Sequence, residues 1–254
     1  MIPNPTERFT GRVESYRRFR PGYPPAIVDL LQRACRLSHD SVIADIAAGT
    51  GLLTEVFLAA GFPAIAVEPN AGMRVACAEL NPAYPRFSVV EGTAEATGLA
   101  DRSVDLITVA QAMHWFNEDK ARAEFVRILK PGGNCAVIYN NRHPGGDAFH
   151  EGYERLLQEF GIDYKAVKQQ HVGRKRLAAF FAPAPMECTA LPNEQSFDLE
   201  GLEGRVLSSS YMPQRGQPRF AEMREAVRRL FHETQTDGRV TMKHDCVVCW
   251  GKLG

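Results

Sequence analysis

The chain has no excess of charge of either sign. Its 254 residues carry 30 Lys and Arg against 30 Asp and Glu, a formal net charge of zero. That balance argues against a protein that captures nucleic acid by broad electrostatic attraction. Long hydrophobic runs are missing too: no stretch approaches the ~20 apolar residues of a membrane span. The opening Met-Ile-Pro-Asn-Pro-Thr-Glu-Arg lacks the apolar centre of a signal peptide, so the expected compartment is the cytoplasm and no membrane partner is expected. Metal-ligand spacing is absent as well. Of the six cysteines, Cys35, Cys77, Cys135 and Cys188 stand singly among apolar residues, as small core side chains in a reducing compartment do. Cys246 and Cys249 form a C-x-x-C pair, but within a strand-like stretch, where residues three apart point to opposite faces. No second pair accompanies them. His39, His143, His150, His171, His232 and His244 show no ligand spacing either, so no metal is expected. What remains, 44% hydrophobic and 24% charged, is ordinary globular composition.

Between about residues 41 and 140, short apolar runs alternate with helical segments. Ser41 to Ala47 reads as a strand running into Gly49-Thr50-Gly51, followed by a helix from Leu52 to Ala60 closed by Gly61. The unit repeats with a strand from Pro63 to Val67 and a helix capped by Asn70. Phe87 to Glu91 and Val104 to Ala110 are further strands, then a helix from Asn117 to Lys130 stopped by Pro131-Gly132-Gly133, and a fifth strand from Asn134 to Asn140. Such alternation predicts an α/β fold, a doubly wound and mostly parallel sheet with helices on both faces. A helix from Pro25 to Cys35 precedes it. Beyond residue 140, Asp147 to Phe160 and Phe220 to Glu233 read as amphipathic helices, Glu187 to Ala190 and Val240 to Trp250 as strands, and Asp237-Gly238 as a turn. The chain reads as a single domain. Residues 1–40 form an N-terminal cap, 41–140 a cofactor-binding core, and 141–254 the substrate side with the C-terminal strands.

In open α/β sheets, ligands bind outside the carboxyl ends of the strands. The first such end is Asp45-Ile-Ala-Ala-Gly49-Thr-Gly51, where two glycines let the backbone turn sharply and approach a ligand. A dinucleotide fingerprint needs a third glycine three positions after Gly51, and that position is Thr54. Glu68 ends the second strand and is suited to accept hydrogen bonds from ribose hydroxyls. After the third strand comes Gly92-Thr-Ala94-Glu95, suited to an adenine edge; after the fourth, Gln111-Ala-Met-His114-Trp115-Phe116, on the loop facing the reacting end of a cofactor.

Together, Val42 to Gly51, Ala66-Val-Glu68-Pro-Asn, Gly92 to Glu95, Val104-Asp-Leu-Ile-Thr-Val and Leu129-Lys-Pro-Gly-Gly133 resemble the class I S-adenosylmethionine-dependent methyltransferases over nearly the whole chain. Tyr16-x-x-x-Arg20-Pro-x-Tyr23-Pro24, Gln111 to Phe116 and Ser208-Ser-Ser-Tyr211 resemble its small-molecule branch, which includes trans-aconitate methyltransferase-like proteins. The resemblance implies a Rossmann-like sheet of seven strands with the last antiparallel, S-adenosylmethionine as cofactor, and methyl transfer to a small-molecule acceptor by in-line displacement. It implies that Gly49 and Gly51 pass under the methionine and ribose portion, with Asp45 near the amino group. Glu68 would hold the ribose, Ala94 and Glu95 would border the adenine, and Gln111 would contact the methionine portion. Tyr16 and Arg20 would close over the cofactor carboxylate. Trp115, Tyr139, Asn140 and Tyr211 fall on the substrate side.

Plainer readings stand beside these. Asp45 can instead satisfy loop amides, Glu95 can be solvated, and Met73 can pack its helix on the sheet. His114 is a general base or only a pocket wall. Arg174-Lys175-Arg176 either attracts an anionic substrate or is a solvated face. The competing functions are a dinucleotide-dependent oxidoreductase and a non-catalytic S-adenosylmethionine-binding regulator.

Overall fold

The computed structural model describes residues 13–164 and 173–253; the opening eight residues and His171, read above from sequence, lie outside the described residues. Seven strands form one sheet: β1 Ile43–Ile46, β2 Ala64–Val67, β3 Phe87–Val90, β4 Val104–Ala110, β5 Leu129–Arg142, β6 Met186–Phe197 and β7 Val240–Gly251. Their order is β3-β2-β1-β4-β5-β7-β6. β1 to β5 pair in parallel, and β7 runs antiparallel to both β5 and β6. The expected sheet with its reversed last strand is therefore present. The chain builds outward from β1 to β3, then returns to lay β4 against the other side of β1. A crevice opens at such a reversal, which is where ligands bind in this class of sheet.

Successive residues of the central strands face opposite layers. Ile43, Leu106, Ala136 and Ile138 join one buried cluster, with helices α2 (Ala26–Ala34), α3 (Leu52–Ala59) and α4 (Ala71–Ala78) packed on it. Ala44, Ile46, Ile107, Val109 and Val137 join the other, under α5 (Glu118–Ile128) and α7 (Arg174–Phe181). A third cluster unites α6 (Ala148–Phe160), α8 (Leu199–Leu207) and α9 (Phe220–Thr234) with Phe197, Val240 and Met242 at the tips of β6 and β7. This last cluster is a cap over the carboxyl ends of the sheet's middle strands. The short helix α1 (Val13–Phe19) straps the layers together: Arg17 pairs with Glu79 just after α4, and Arg18 with Glu200 of α8. Gly204 permits this, because a Cβ there would sit 2.4 Å from the Phe19 ring.

Two expectations are corrected. The helix expected to reach Lys130 ends at Ile128, because the backbone is already extended at Leu129, where β5 begins, and the pairing of β5 with β4 shifts register between Val104 and Leu106. Cys188 and Cys249, read as unpaired, form a disulfide. Cys246 and Cys249 do face opposite layers, but Cys188 stands directly across from Cys249 in the β6–β7 ladder, with Cα atoms 4.1 Å apart. A separation of 61 residues hid that pairing from any local reading. No described helix is long and apolar enough to cross a membrane.

One buried side chain ties β1, α3 and β4 together. Asp45, 1% exposed, accepts from the Thr54 hydroxyl at 2.6 Å and from the Thr108 hydroxyl at 2.9 Å. Burial pushes its carboxyl up to about 6, against the two threonine hydrogen bonds and with help from the charge of Glu68. The folded state thus holds this proton more tightly than the unfolded chain does. Stability is lost as pH rises from the ordinary value of 3.8 through about 6, and the loss is complete above that.

Two outcomes are expected in denaturant titrations. The stability of Asp45→Asn relative to the wild type should rise between pH 4 and pH 7 by up to about 3 kcal/mol; a pH-independent difference would contradict the assignment. Gly51→Ala should lose about 1–3 kcal/mol. Its φ is +85°, and a Cβ would lie 2.9 Å from both Cys77 Sγ and Leu80 Cδ1. Unchanged stability would mean that the turn is not held this tightly.

Candidate active site

Two adjoining cavities open at the β1/β4 reversal. The smaller, about 200 Å³, lies over the ends of β1, β2 and β4. Its floor is a strained backbone: Ala47 after β1 and Gln111 after β4 both hold positive φ, +56° and +57°, which costs a non-glycine residue about 1–2 kcal/mol. Neighbouring strands hold these turns, through Ala48 N–H to the Val67 carbonyl at 3.2 Å and Gln111 N–H to the Ile138 carbonyl at 3.0 Å. Gly49, also at positive φ, lines the same floor. Its N–H donates to Glu68 Oε2 at 2.9 Å, while Asn70 N–H donates to Oε1 at 2.8 Å. Glu68 therefore fixes two loops at once. It is 6% exposed, and burial raises its pKa against those two N–H bonds and the nearby Arg74.

Met73, Ala94 and Phe116 give this cavity apolar walls, and Glu95 borders it while accepting from the Asn117 N–H at 2.8 Å. Among the described residues lining it there is no lysine or arginine. Its ionisable carboxyls are Glu68 and Glu95, with Asp45 buried just beneath.

The larger cavity, about 520 Å³, shares Tyr16, Gln111 and Trp115 with the smaller one and extends under the cap. Its charge is of the opposite sign. Arg20, Arg142 and Arg205 line it, with Glu154 the one carboxylate among its described lining residues. Glu154 is committed: it pairs with Arg142, accepts from the Tyr164 hydroxyl at 2.8 Å and from Gln158 at 3.0 Å. Tyr139 closes the wall, 3% exposed, its phenol pKa raised by burial. Asn140 donates to the Gly22 carbonyl at 3.0 Å and accepts from Asn193 at 3.0 Å, which fixes the loop after α1. His114 enters from the turn Met113–Trp115, its ring 4.6 Å from that of Trp115.

The sequence-read residues divide between these cavities. Tyr16, Gly49, Glu68, Ala94, Glu95, Gln111 and Trp115 line the smaller; His114, Tyr139, Asn140 and Tyr211 line the larger. Three remaining residues do not line the smaller cavity. Asp45 lines neither cavity, because both its oxygens are turned to threonine hydroxyls inside the fold. Gly51 lines neither, since its turn packs against Cys77 and Leu80. Arg20 lines only the larger cavity, where its Nη2 donates to the Ser208 carbonyl at 3.0 Å. Arg174-Lys175-Arg176 lines neither and is exposed at the start of α7, with Arg176 paired to Glu118. Met73 is both buried packing and cavity wall.

Sequence reading missed Arg142, Glu154, Tyr164 and Arg205. One signal was available for Arg205: it lies three residues after Leu202 and beside Val206, a charge on the apolar face of its helix. Among the described residues, no cluster able to hold a metal ion is present.

Residues 44–137 match the family model described as a methyltransferase domain. An uncharacterized methyltransferase of Mycobacterium tuberculosis is 39% identical over 135 residues, 53% of this chain and 52% of that protein. The chain thus spans about half the length of the curated relatives it matches. Among solved structures, an Anaeromyxobacter dehalogenans protein assigned as a type II methyltransferase superposes with a TM-score of 0.66 at 24% identity, over 92% of this chain and 98% of the other. A phosphoethanolamine N-methyltransferase of Haemonchus contortus, in complex with phosphomonomethylethanolamine and S-adenosylhomocysteine, superposes with a TM-score of 0.58 at 14% identity, over 97% and 58%. Residues 44–137 thus match a methyltransferase domain, and the sheet that contains them has the fold of the solved methyltransferases.

Proposed function

We propose that the chain transfers the methyl group of S-adenosylmethionine to a small-molecule acceptor by in-line displacement, with the cofactor in the smaller cavity and the acceptor in the larger. The observation that carries this reading is the charge of the smaller cavity. Glu68 and Glu95 line it, Asp45 lies below, and no described basic side chain faces it. Asp45 and Glu68 are carboxylates whose pKa values burial raises, and a cationic ligand favours their charged forms. A dinucleotide would instead bring its diphosphate into a cavity lined by carboxylates and by no described lysine or arginine, so the oxidoreductase alternative is disfavoured on the same ground.

Glu68 has acceptor capacity beyond its two backbone bonds, since each carboxylate oxygen accepts more than one hydrogen bond. That capacity suits a ribose diol. Met73, Ala94 and Phe116 offer the apolar contact an adenine ring needs, and Asp45, acting through the field beneath the floor, favours the positive end. When bound, S-adenosylmethionine supplies an electrophilic methyl on a sulfonium sulfur. The protein's part is to hold acceptor and methyl in line across the wall of Tyr16, Gln111 and Trp115 and to exclude water. Proximity of this kind supplies up to about 7–11 kcal/mol. His114, on the acceptor side of that wall, is placed to take a proton from a hydroxyl or amine acceptor. The reading carries a cytoplasmic location: Cys35, Cys77, Cys135 and Cys246 keep free thiols, as a reducing compartment favours, whereas the Cys188–Cys249 bridge runs against it.

Calorimetry tests the reading. Wild-type protein should bind S-adenosylmethionine, and Glu68→Ala should weaken binding by about tenfold or more, because it removes a charged acceptor and frees the Gly49 and Asn70 N–H groups. Wild-type protein that binds no S-adenosylmethionine would overturn the proposal.

A further inference from the structure

The larger cavity holds a buried positive charge that the described protein residues leave without a counter-ion. Arg205, on α8, is 6% exposed. Its Nη1 donates to the Ser209 hydroxyl at 3.0 Å, and its Nε is buried without a hydrogen-bond partner. Arg20 lines the same cavity, and its Nε is likewise buried and unpartnered. Glu154 cannot serve either one, being held by Arg142, Tyr164 and Gln158. Tyr153, Tyr211 and His244 beside Arg205 are uncharged, and the Tyr153 hydroxyl is also buried without a hydrogen-bond partner. Burial and the charges of Arg205 and Arg142 drive the pKa of His244 down to about 3, so this ring stays neutral at physiological pH.

An arginine keeps its charge in proteins, and a buried charge without a partner costs several kcal/mol. Burial and the neighbouring Arg20 both act against the charge of Arg205. A fold that keeps such a group beside a cavity of about 520 Å³ is organised around a ligand that supplies the missing anion. The guanidinium edge offers two parallel N–H donors, which match the two oxygens of a carboxylate. Tyr16, Leu157 and Tyr211 line the same space and suit an organic body attached to that head.

We infer that the acceptor is a small organic acid whose carboxylate is bound by Arg205, with Arg20 as the second positive group. The inference rests on the larger cavity being the acceptor site of the proposed methyl transfer. Arg205 is then a specificity residue, and the two cavities sort their ligands by charge, a cation over the carboxylates and an anion under the cap.

The experiment is calorimetry on the whole chain with 4-hydroxybenzoate, malonate and citrate, their neutral amides, and inorganic phosphate, each with and without S-adenosylhomocysteine. At least one acid should bind, with its amide weaker by about tenfold or more. Arg205→Leu should abolish that difference while leaving the affinity for S-adenosylhomocysteine within about twofold, and Arg205→Lys, which keeps the charge but loses the fork, should fall between. Retained S-adenosylhomocysteine binding also shows that the variants are folded. The inference is overturned if no acid binds, if acids and amides bind alike, if phosphate alone binds, or if Arg205→Leu weakens S-adenosylhomocysteine as much as the acid. Absent S-adenosylhomocysteine binding by the wild type would instead overturn the cofactor reading, and the acid titrations without it would still decide the role of Arg205.

Discussion

Asp45 and Glu68 are carboxylates buried at the ends of adjacent parallel strands, and the geometry of the site follows from how each is held. Asp45 draws β4 and α3 onto β1 through two threonine hydroxyls. Glu68 draws the Gly49 loop and the start of α4 onto the end of β2 through two backbone N–H groups. Burial raises both pKa values, and the hydrogen bonds oppose that rise without cancelling it. The strained turns at Ala47 and Gln111 are tolerable in the same setting, because the strands on either side leave the backbone no alternative.

Across the wall of Tyr16, Gln111 and Trp115 the electrostatics reverse. The acidic cavity belongs to the sheet, whose strand ends bring Glu68 and the backbone turns together. The basic cavity draws on the cap, which supplies Arg205 and Glu154, and on the strap after α1, which supplies Arg20. A single fold thus presents two adjacent environments of opposite sign, suited to a cationic methyl donor and an anionic acceptor. The zero net charge of the chain hides this arrangement completely, since it is a property of placement and not of composition.

How far the site could be read from sequence depended on how local each part is. Gly49, Glu68, Ala94 and Gln111 are strand-end residues, and the alternation of strands and helices fixes where strand ends go. All four line the smaller cavity. Asp45 and Gly51 come from the same motif but line neither cavity. Spacing shows that a residue is near a turn, but not which way its side chain faces. Arg20 was assigned to the cofactor, yet its position depends on the carbonyl of Ser208, 188 residues away. Arg205, Glu154 and the Cys188–Cys249 bridge are further still from local reading, because helix packing and antiparallel register create their surroundings.

The decisive measurement is calorimetric titration of the wild type with S-adenosylmethionine at pH 6, in two buffers of different ionisation enthalpy. With Asp45 titrating at about 6 beneath the cavity, a cationic ligand should bind with net proton release, and Asp45→Asn should bind without it. Absence of binding, or binding with proton uptake, would contradict the account of a site built on buried carboxylates to hold a positive cofactor.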